Sequence, residues 1–584
     1  MRVIATAGHV DHGKSTLIRA LTGMEPDRWE EERRRGLTIG LGFAWTTLPG
    51  GERVAFVDVP GHERFVTTML AGVGPVPAVL FVVAADEGWM PQSTEHLAAL
   101  DALGVRHGLL VVTRSDLADP GPALVAARER LAHTSLREIG AVAISATTGE
   151  GLDEFRRALA ALAGALPSVD PAADVRLWVD RCFTIGGAGT VVTGTLACGT
   201  LRAGDELRLA GSAVRVRGLQ ALGEDVPEVS GAARVAVNLR GVDKGQVSRG
   251  DALLTPDAWL TTDLVDVAHT AGRELTGELM FHIGSAAVPA RVRPFGTRGA
   301  RLRLRSPLPL RVGDRALLRD PGKHLVVAGL DVLDVRPPAL DRRGAGRRRA
   351  GELVELADGT RDPVEVQLVH RGFLRGKEIR AMGLPEPSAS AVAGWYLDPR
   401  LCAAATSQAL SEVDAWSRDN PLREGVAEET LRQRLGLPDV QVTAVVARDA
   451  GLTVESGVVR RADRRESLPP SVETAVAALT TELTEAPFAA PDANRLRDLG
   501  LGPRELAAAE RVGRLVRISG EIVLLPDFQR RATEALAELP QPFTLSRARI
   551  SLGTTRRVVV PLLELLARKG VTERLQDGTH RLRR

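Results

Sequence analysis

Gly8-His9-Val10-Asp11-His12-Gly13-Lys14-Ser15 follows the pattern G-x-x-x-x-G-K-[ST]. Glycines at both ends allow a backbone wrap that aims several N–H groups at one point, the arrangement that holds a phosphate. At this spacing Lys14 bridges β and γ phosphates and the Ser15 hydroxyl ligates Mg²⁺, while Thr16 continues into a helix whose positive end adds to the anion site. Further on, Asp58-Val59-Pro60-Gly61-His62 offers an aspartate that holds Mg²⁺ through water and a glycine able to meet the γ-phosphate. Thr38, inside Arg35-Gly36-Leu37-Thr38-Ile39, supplies another hydroxyl for the same ion. Thr113-Arg114-Ser115-Asp116 and Ile144-Ser145-Ala146 complete the set.

These residues need strands that end where they begin. Val3, Ile4 and Ala5 read as a short apolar strand, and Leu17, Ile18, Ala20 and Leu21 start a helical pattern after the glycine loop. Val54 to Val57 and Leu109 to Val112 are apolar runs that stop at Asp58 and Thr113, and Ile144 closes another. Strand-end motifs in this order describe a GTPase, with Asp116 accepting the two guanine N–H donors and the Ala146 N–H meeting O6. Alternating strands and helices predict a parallel sheet covered on both faces, ending at a proline-containing break near Pro167 to Pro171. The charged run Glu30 to Arg35 before Thr38 reads as a solvated helix face.

The glycine loop and Asp-Val-Pro-Gly-His resemble the translational GTPases. That resemblance implies that His62 positions the attacking water and that Val10 forms part of an apolar gate in front of it. One motif departs from the family, whose guanine box is Asn-Lys-x-Asp or Thr-Lys-x-Asp. Here Arg114 replaces the lysine, and the two are not interchangeable, although an arginine stem and guanidinium can lie along a base.

At 584 residues the chain exceeds what one core serves, so three or more domains are expected. Hydrophobic content of 44% and charged content of 26% are those of a soluble globular protein. No apolar run of about 18 residues and no secretory leader appears, which predicts a cytoplasmic protein without membrane attachment. Cys182, Cys198 and Cys402 have no C-x-x-C spacing and read as buried free thiols, neither zinc site nor disulfide framework. Arginine so outnumbers lysine that a GC-rich genome explains its abundance, and position carries more information than total. Residues 541–584 sum to +7 against +3 for the whole chain, so residues 1–540 sum to −4 and the C-terminal end is the expected polyanion contact.

From Arg176 the pattern turns to short β-like runs punctuated by glycine: Leu177 to Phe183, Thr190 to Leu196 and Asp205 to Leu209. Phe183 to Gly194 resembles the second, β-barrel domain of translational GTPases, and residues 260–338 resemble their third. Arg342-Arg343-Gly344-Ala345-Gly346-Arg347-Arg348-Arg349 reads as a solvated linker that can also touch RNA. Beyond it, helix-then-hairpin units suggest winged-helix modules. In the last, Ser551 to Arg557 offer an N-cap and a basic first turn, and Val559, Leu562, Leu563 and Leu566 share one face, with Pro561 set awkwardly among them. Arg556 and Arg557, with Arg547, Arg549 and Arg574, are the expected RNA contacts.

A tRNA-carrying GTPase followed by winged helices resembles the bacterial selenocysteine-specific elongation factors over essentially the whole chain. The fold expected is a P-loop GTPase domain (1–170), two β-barrel domains (171–258 and 259–340), a linker with a first winged helix (341–398), and three more at 399–466, 467–536 and 537–584. The resemblance implies a GTP- and Mg²⁺-dependent monomer that delivers selenocysteinyl-tRNA to the ribosome at in-frame UGA codons by gripping an mRNA hairpin. It also places the selenocysteinyl pocket at Asp180, Arg181 and Arg234. The alternatives are another tRNA-binding or ribosome-associated GTPase, or a GTP-sensing winged-helix regulator of nucleic acid.

Overall fold

The computed structural model describes residues 1–26, 38, 40–62, 65–74, 76–186, 189–462 and 468–583. The run Glu30 to Arg35, with Gly36, Leu37 and Ile39, lies outside the described residues, as do Gly187, Ala188 and Arg584. Two compact units divide the chain, residues 1–390 and 391–584. Among the described residues no helix is long and apolar enough to cross a membrane.

The first unit opens with strands β1 (Arg2–Gly8), β2 (Gly42–Thr47), β3 (Arg53–Asp58), β4 (Ala78–Ala84), β5 (His107–Thr113) and β6 (Gly140–Ala143). They form one sheet in the order β2-β3-β1-β4-β5-β6, parallel except for β2. Every residue of β4 is buried, which is why it reads as an unbroken apolar run. Helices α1 (Lys14–Thr22) and α5 (Leu152–Ala165) pack against one face, and α2 (Val66–Val73), α3 (Pro91–Ala102) and α4 (Pro120–Leu131) against the other. The chain leaves β1 for neighbours on both sides, so its carboxyl end opens onto the crevice where doubly wound sheets hold ligands.

Two barrels follow. Strands Glu206–Leu209, Ala252–Leu254, Arg176–Trp178, Gly189–Leu196, Ala233–Arg240 and Ser212–Ala221 pair in sequence, and the last returns to the first. The expected strand Leu177 to Phe183 is broken at Val179-Asp180, and its second half, Arg181–Ile185, pairs along Gly189–Leu196. Six more strands between Leu260 and Asp334 close the second barrel. The barrels are welded to each other. Arg176 grips Asp314 with two 2.6 Å bonds and stacks 4.4 Å over Trp259, whose ring also lies 3.7 Å from the Arg311 guanidinium.

The arginine-rich stretch after the second barrel is not a solvated linker. Ala345–Ala357 is a helix packed on that barrel, and Arg349 is 2% exposed. Its guanidinium donates to Asp266 (2.7 Å), Asp334 and Glu352, while Arg301 holds Asp266 from the other side at 2.7 Å. Burial raises the Asp334 carboxyl, and the Arg349 charge works against that rise.

The second unit repeats helices followed by a hairpin. Pro399–Asp419, Glu428–Leu435 and Val440–Asp449 precede the hairpin Leu452–Glu455 and Val458–Arg461, to which Val426–Ala427, between the first two helices, adds a third strand; Pro470–Glu485, Ala493–Asp498 and Pro503–Arg511 precede the pair Val516–Ser519 and Ile522–Leu524. Phe528–Ala537, Leu545–Ser551 and Arg556–Arg568 precede the pair Thr572–Arg574 and His580–Leu582. In the last helix Val559, Leu562, Leu563 and Leu566 are buried and Pro561 lies inside it. Its N-cap is Thr555, within the expected stretch, and Ser551 ends the preceding helix. The three cysteines are half-buried free thiols, each pushed up by burial.

Candidate functional site

The glycine loop turns from β1 into α1 with Gly8 at φ 134° and Gly13 at φ 82°. A Cβ on Gly8 would lie 2.2 Å from the Val82 carbonyl, so only glycine fits. Ser15 Oγ donates to Asp58 Oδ2 at 2.6 Å and lies 3.1 Å from Thr38 Oγ1, while Thr6 holds Asp58 Oδ1 at 2.7 Å. Burial pushes the Asp58 carboxyl up, and the Ser15 and Thr6 hydroxyls and the Lys14 charge act against it. The Ser15 and Thr38 hydroxyls and the buried Asp58 carboxylate therefore gather at one place, a set of hard oxygens that fits Mg²⁺. Among the described residues no group of three or more His, Cys, Asp or Glu could hold a metal ion.

Lys14 Nζ donates to the carbonyls of Gly8 (3.1 Å) and His9 (2.6 Å), back along the loop it serves. A Cβ on Gly61 would lie 2.5 Å from both Lys14 Nζ and Val10 N, so the Asp58 to His62 stretch closes directly over the loop. His62 is half-buried there, its ring 6.0 Å from that of Phe65.

Other contacts fix the loop from behind. Gln92 and His96, both on α3, accept the N–H groups of Val10 (3.1 Å) and Gly8 (3.0 Å). Burial, with the Lys14 charge adding to it, drops His96 to about 3, so it stays a neutral acceptor. Burial likewise takes His12 to about 4. The Thr113 hydroxyl donates to the His12 carbonyl at 2.7 Å, and Arg114 donates to the Asp11 carbonyl while held by Asp86 (2.9 Å) and Glu87 (2.7 Å). A planar trans peptide points its N–H opposite its carbonyl, so these two grips turn the N–H groups of His12 and Gly13 toward the phosphate side. The Arg114 head thus braces the loop. Asp116 is exposed, Ser145 is buried with its Oγ accepting from the Thr148 N–H at 3.1 Å, and Ala146 follows it half-buried.

A second cluster stands where the first barrel meets the sheet domain. Arg234 clamps Asp180 with both terminal nitrogens, one at 2.7 Å, and Thr193 donates to the same carboxylate at 2.8 Å. The guanidinium groups of Arg234 and Arg181 lie 4.0 and 4.9 Å over the Phe43 ring of β2, and Arg181 donates to the Leu41 carbonyl. Arg249 reaches Thr67 O (2.7 Å) and Thr68 Oγ1 (3.2 Å) on α2.

At the C-terminal end, Arg547, Arg549, Arg556 and Arg574 are exposed, and among the described residues none is in an ion pair. Arg557 differs, donating to the carbonyls of Ala490 and Pro491 at 2.8 Å each. Sequence reasoning missed Thr6, Phe43, Asp86, Glu87, Gln92, His96 and Arg249, whose partners lie far away in sequence. The one local signal was Pro91-Gln92, a helix start.

Comparison with known proteins gives matches along the chain. Elongation factor Tu GTP binding domain matches residues 1–165, and Elongation factor Tu domain 2 matches 189–254. The β-barrel domain of the selenocysteine-specific elongation factor matches 263–339, and the winged helix of elongation factor SelB matches 534–581. The selenocysteine-specific elongation factor of Desulfomicrobium baculatum is 30% identical over 98% of both chains. That of Escherichia coli (strain K12) is 40% identical over 58% of this chain and 56% of its own. A crystal structure of bacterial selenocysteine-specific elongation factor EF-Sec matches with a TM-score of 0.78 at 25% identity, covering 100% of both chains.

Proposed function

The chain belongs to the selenocysteine-specific elongation factors, translational GTPases that use GTP and Mg²⁺, and from that premise we propose that it carries selenocysteinyl-tRNA to the ribosome at in-frame UGA codons, gripping an mRNA hairpin with its last module. The observation that carries this reading is the cluster of Asp180, Arg181 and Arg234 against Phe43.

A selenol ionises more readily than a thiol or hydroxyl and is largely an anion near neutral pH, so a cationic pocket separates it from serine. Asp180 fixes the plane of the Arg234 fork, and the aromatic face of Phe43 supports both guanidinium groups. On strand Ala233–Arg240 alternate residues point outward, so Ala236 and Asn238 continue the face that carries Arg234. They line a cavity of about 620 Å³ with Ile185, Val191 and Asp225, and Asn238 Oδ1 is buried there without a hydrogen-bond partner. Its size and its buried, unpartnered acceptor suit the terminal nucleoside of a tRNA.

For hydrolysis, Ser15, Thr38 and Asp58 would hold Mg²⁺, which would supply neutralisation of phosphate charge. Lys14 and the inward N–H groups of the loop bind the β and γ phosphates, Asp116 and Ala146 select guanine, and His62 orders the attacking water behind Val10. Thr38 and Gly61 sense the γ-phosphate and pass its presence to the neighbouring segments. Arg547, Arg549, Arg556 and Arg574 take up RNA phosphates and base edges, whereas Arg557 braces the last module. The modules divide near residues 170, 258, 340, 398, 466 and 536, and the factor acts as a cytoplasmic monomer.

Protection of the aminoacyl ester tests the reading. Selenocysteinyl and seryl esters on one tRNA body are incubated with the protein and GTP or GDP. Selective protection of the selenocysteinyl ester in GTP is expected. Equal protection of both would remove the arginine-pocket argument in favour of a general tRNA carrier, and protection of neither would leave the regulator reading.

A further inference from the structure

Two neighbouring carboxylates stand behind the phosphate loop. The turn that follows β4 is short and pinned: the Ala85 N–H donates to the Thr113 carbonyl and the Gly88 N–H to the Ala84 carbonyl, each at 2.9 Å. Gly88 has φ 68°, a left-handed value that glycine takes without strain. This turn aims Asp86 and Glu87 at one atom, Arg114 Nη1, at 2.9 and 2.7 Å. The other terminal nitrogen, Nη2, donates to the Asp11 carbonyl in the middle of the phosphate loop. Glu87 has a second hold on the same stretch, its Oε2 lying 3.6 Å from Nε2 of the buried His12 ring.

Charge balance does not account for this arrangement. Two carboxylates against one guanidinium leave an excess negative charge beside a loop built to hold anions, and by charge alone that weakens its hold on phosphate. The side chains of Arg114, Asp86 and Glu87 are 28%, 30% and 35% exposed, so water screens the group only in part. The backbone is strained at both ends of the contact. Arg114 has φ 57° and Asp11 φ 62°, values that a residue other than glycine holds only when its surroundings over-determine it. Here the over-determination is a chain of bonds, carboxylates to guanidinium and guanidinium to carbonyl.

We propose that Asp86 and Glu87 are positioning residues of the nucleotide site. They hold Arg114 across the loop, and Arg114 fixes the Asp11–His12 peptide so that its N–H faces the phosphates. The proposal rests on the glycine loop as the phosphate site. A lysine gathers its three donors on one atom and cannot reach carboxylates on one side and a carbonyl on the other, as a planar fork does. Arg114, Asp86 and Glu87 therefore form one unit, into which the lysine usual at position 114 does not fit.

Release of a fluorescent GDP analogue and equilibrium binding of GTP, both measured on the full chain with Mg²⁺, test the proposal. In Asp86→Asn/Glu87→Gln, GDP leaves about tenfold faster and GTP binds about tenfold more weakly. The KM for GTP rises by the same factor, while kcat at saturating GTP and the preference for GTP over ATP are kept. The melting temperature of the nucleotide-free chain moves by less than about 2 °C, which separates positioning from a structural role. Arg114→Lys shows the same loss of binding, and adding it to the Asn/Gln pair costs less than about a further twofold, because both changes cut one chain of bonds. Tighter binding in the Asn/Gln variant overturns the proposal and makes the carboxylates a brake that acts through charge. An Arg114→Lys chain that binds as tightly as wild type overturns it too, as do losses that multiply. A wild-type chain that binds no guanine nucleotide sinks the site and the clamp together, whereas normal wild-type binding with unaffected variants sinks the clamp alone.

Discussion

Two joints in the first unit are made from the same residue type and held in different ways. Where the helix Ala345–Ala357 meets the second barrel, Arg349 is surrounded by three carboxylates and almost free of water. Where the first barrel meets the sheet domain, Arg181 and Arg249 cross to carbonyl and hydroxyl oxygens and to the face of Phe43. The only ion pair there among the described residues is the exposed Arg53–Glu224 contact at 3.8 Å. A buried guanidinium saturated with charge cannot be withdrawn without stranding its partners. One held by neutral acceptors leaves behind groups that water can satisfy. The first kind makes a weld that is costly to part and the second a seam that costs less to open, and the proposed selenol contacts lie in the seam.

The largest effect expected from this contrast is at the weld. Arg349→Met leaves Asp334 buried without its main counter-charge, at a cost of about 3–5 kcal/mol, which lowers the unfolding midpoint of the first unit by roughly 5–10 °C in calorimetry. A midpoint within a degree of wild type would show that the network does not hold the joint. Arg181→Ala should behave in reverse. Losing a charged hydrogen bond of about 1.5 kcal/mol costs about tenfold in the preference for selenocysteinyl over seryl ester, with little change in the midpoint. A large loss of stability with selectivity intact would erase the distinction between the joints.

The smallest effect is in acid. Burial acts to raise the Glu352 carboxyl, but hydrogen bonds from His370 and Arg349 outweigh it and hold it at about 2. Its contribution is therefore complete above the ordinary glutamate value of about 4.3 and is lost as pH falls from there through 2. Partial exposure limits it to about 1–2 kcal/mol. Glu352→Gln should flatten that limb of the stability profile, and an unchanged limb would assign it to other carboxylates.

The nucleotide cradle was legible because each of its parts is a short motif at the end of an apolar run. Asp58, Thr113 and Ser145 each announce themselves within five residues of sequence. The weld was illegible for the opposite reason. Its helix buries only Arg349 and Leu353, so it has no apolar stripe, and Gly344, Gly346 and the surrounding arginines look like a linker. Arg349 is buried because of carboxylates that lie 83 and 15 residues away. Phe43, Gln92 and His96 were hidden likewise, since a hydrogen bond across 88 residues leaves no periodicity to read.

Helix α3 has one further consequence. Its N-terminal turns hold the phosphate loop through Gln92 and His96, and its last residue, Ala102, lies so near the second barrel that a Cβ on Gly329 would come within 2.5 Å of its carbonyl. Between those ends Glu95 is salt-bridged to Arg319 of the same barrel at 3.1 Å. Twelve residues of helix make a rod about 18 Å long, and after Pro91 it contains neither proline nor glycine at which to bend. Such a rod has a bearing at each end and no slack, so a shift of the loop by a fraction of an ångström reaches the barrel as a displacement of similar size.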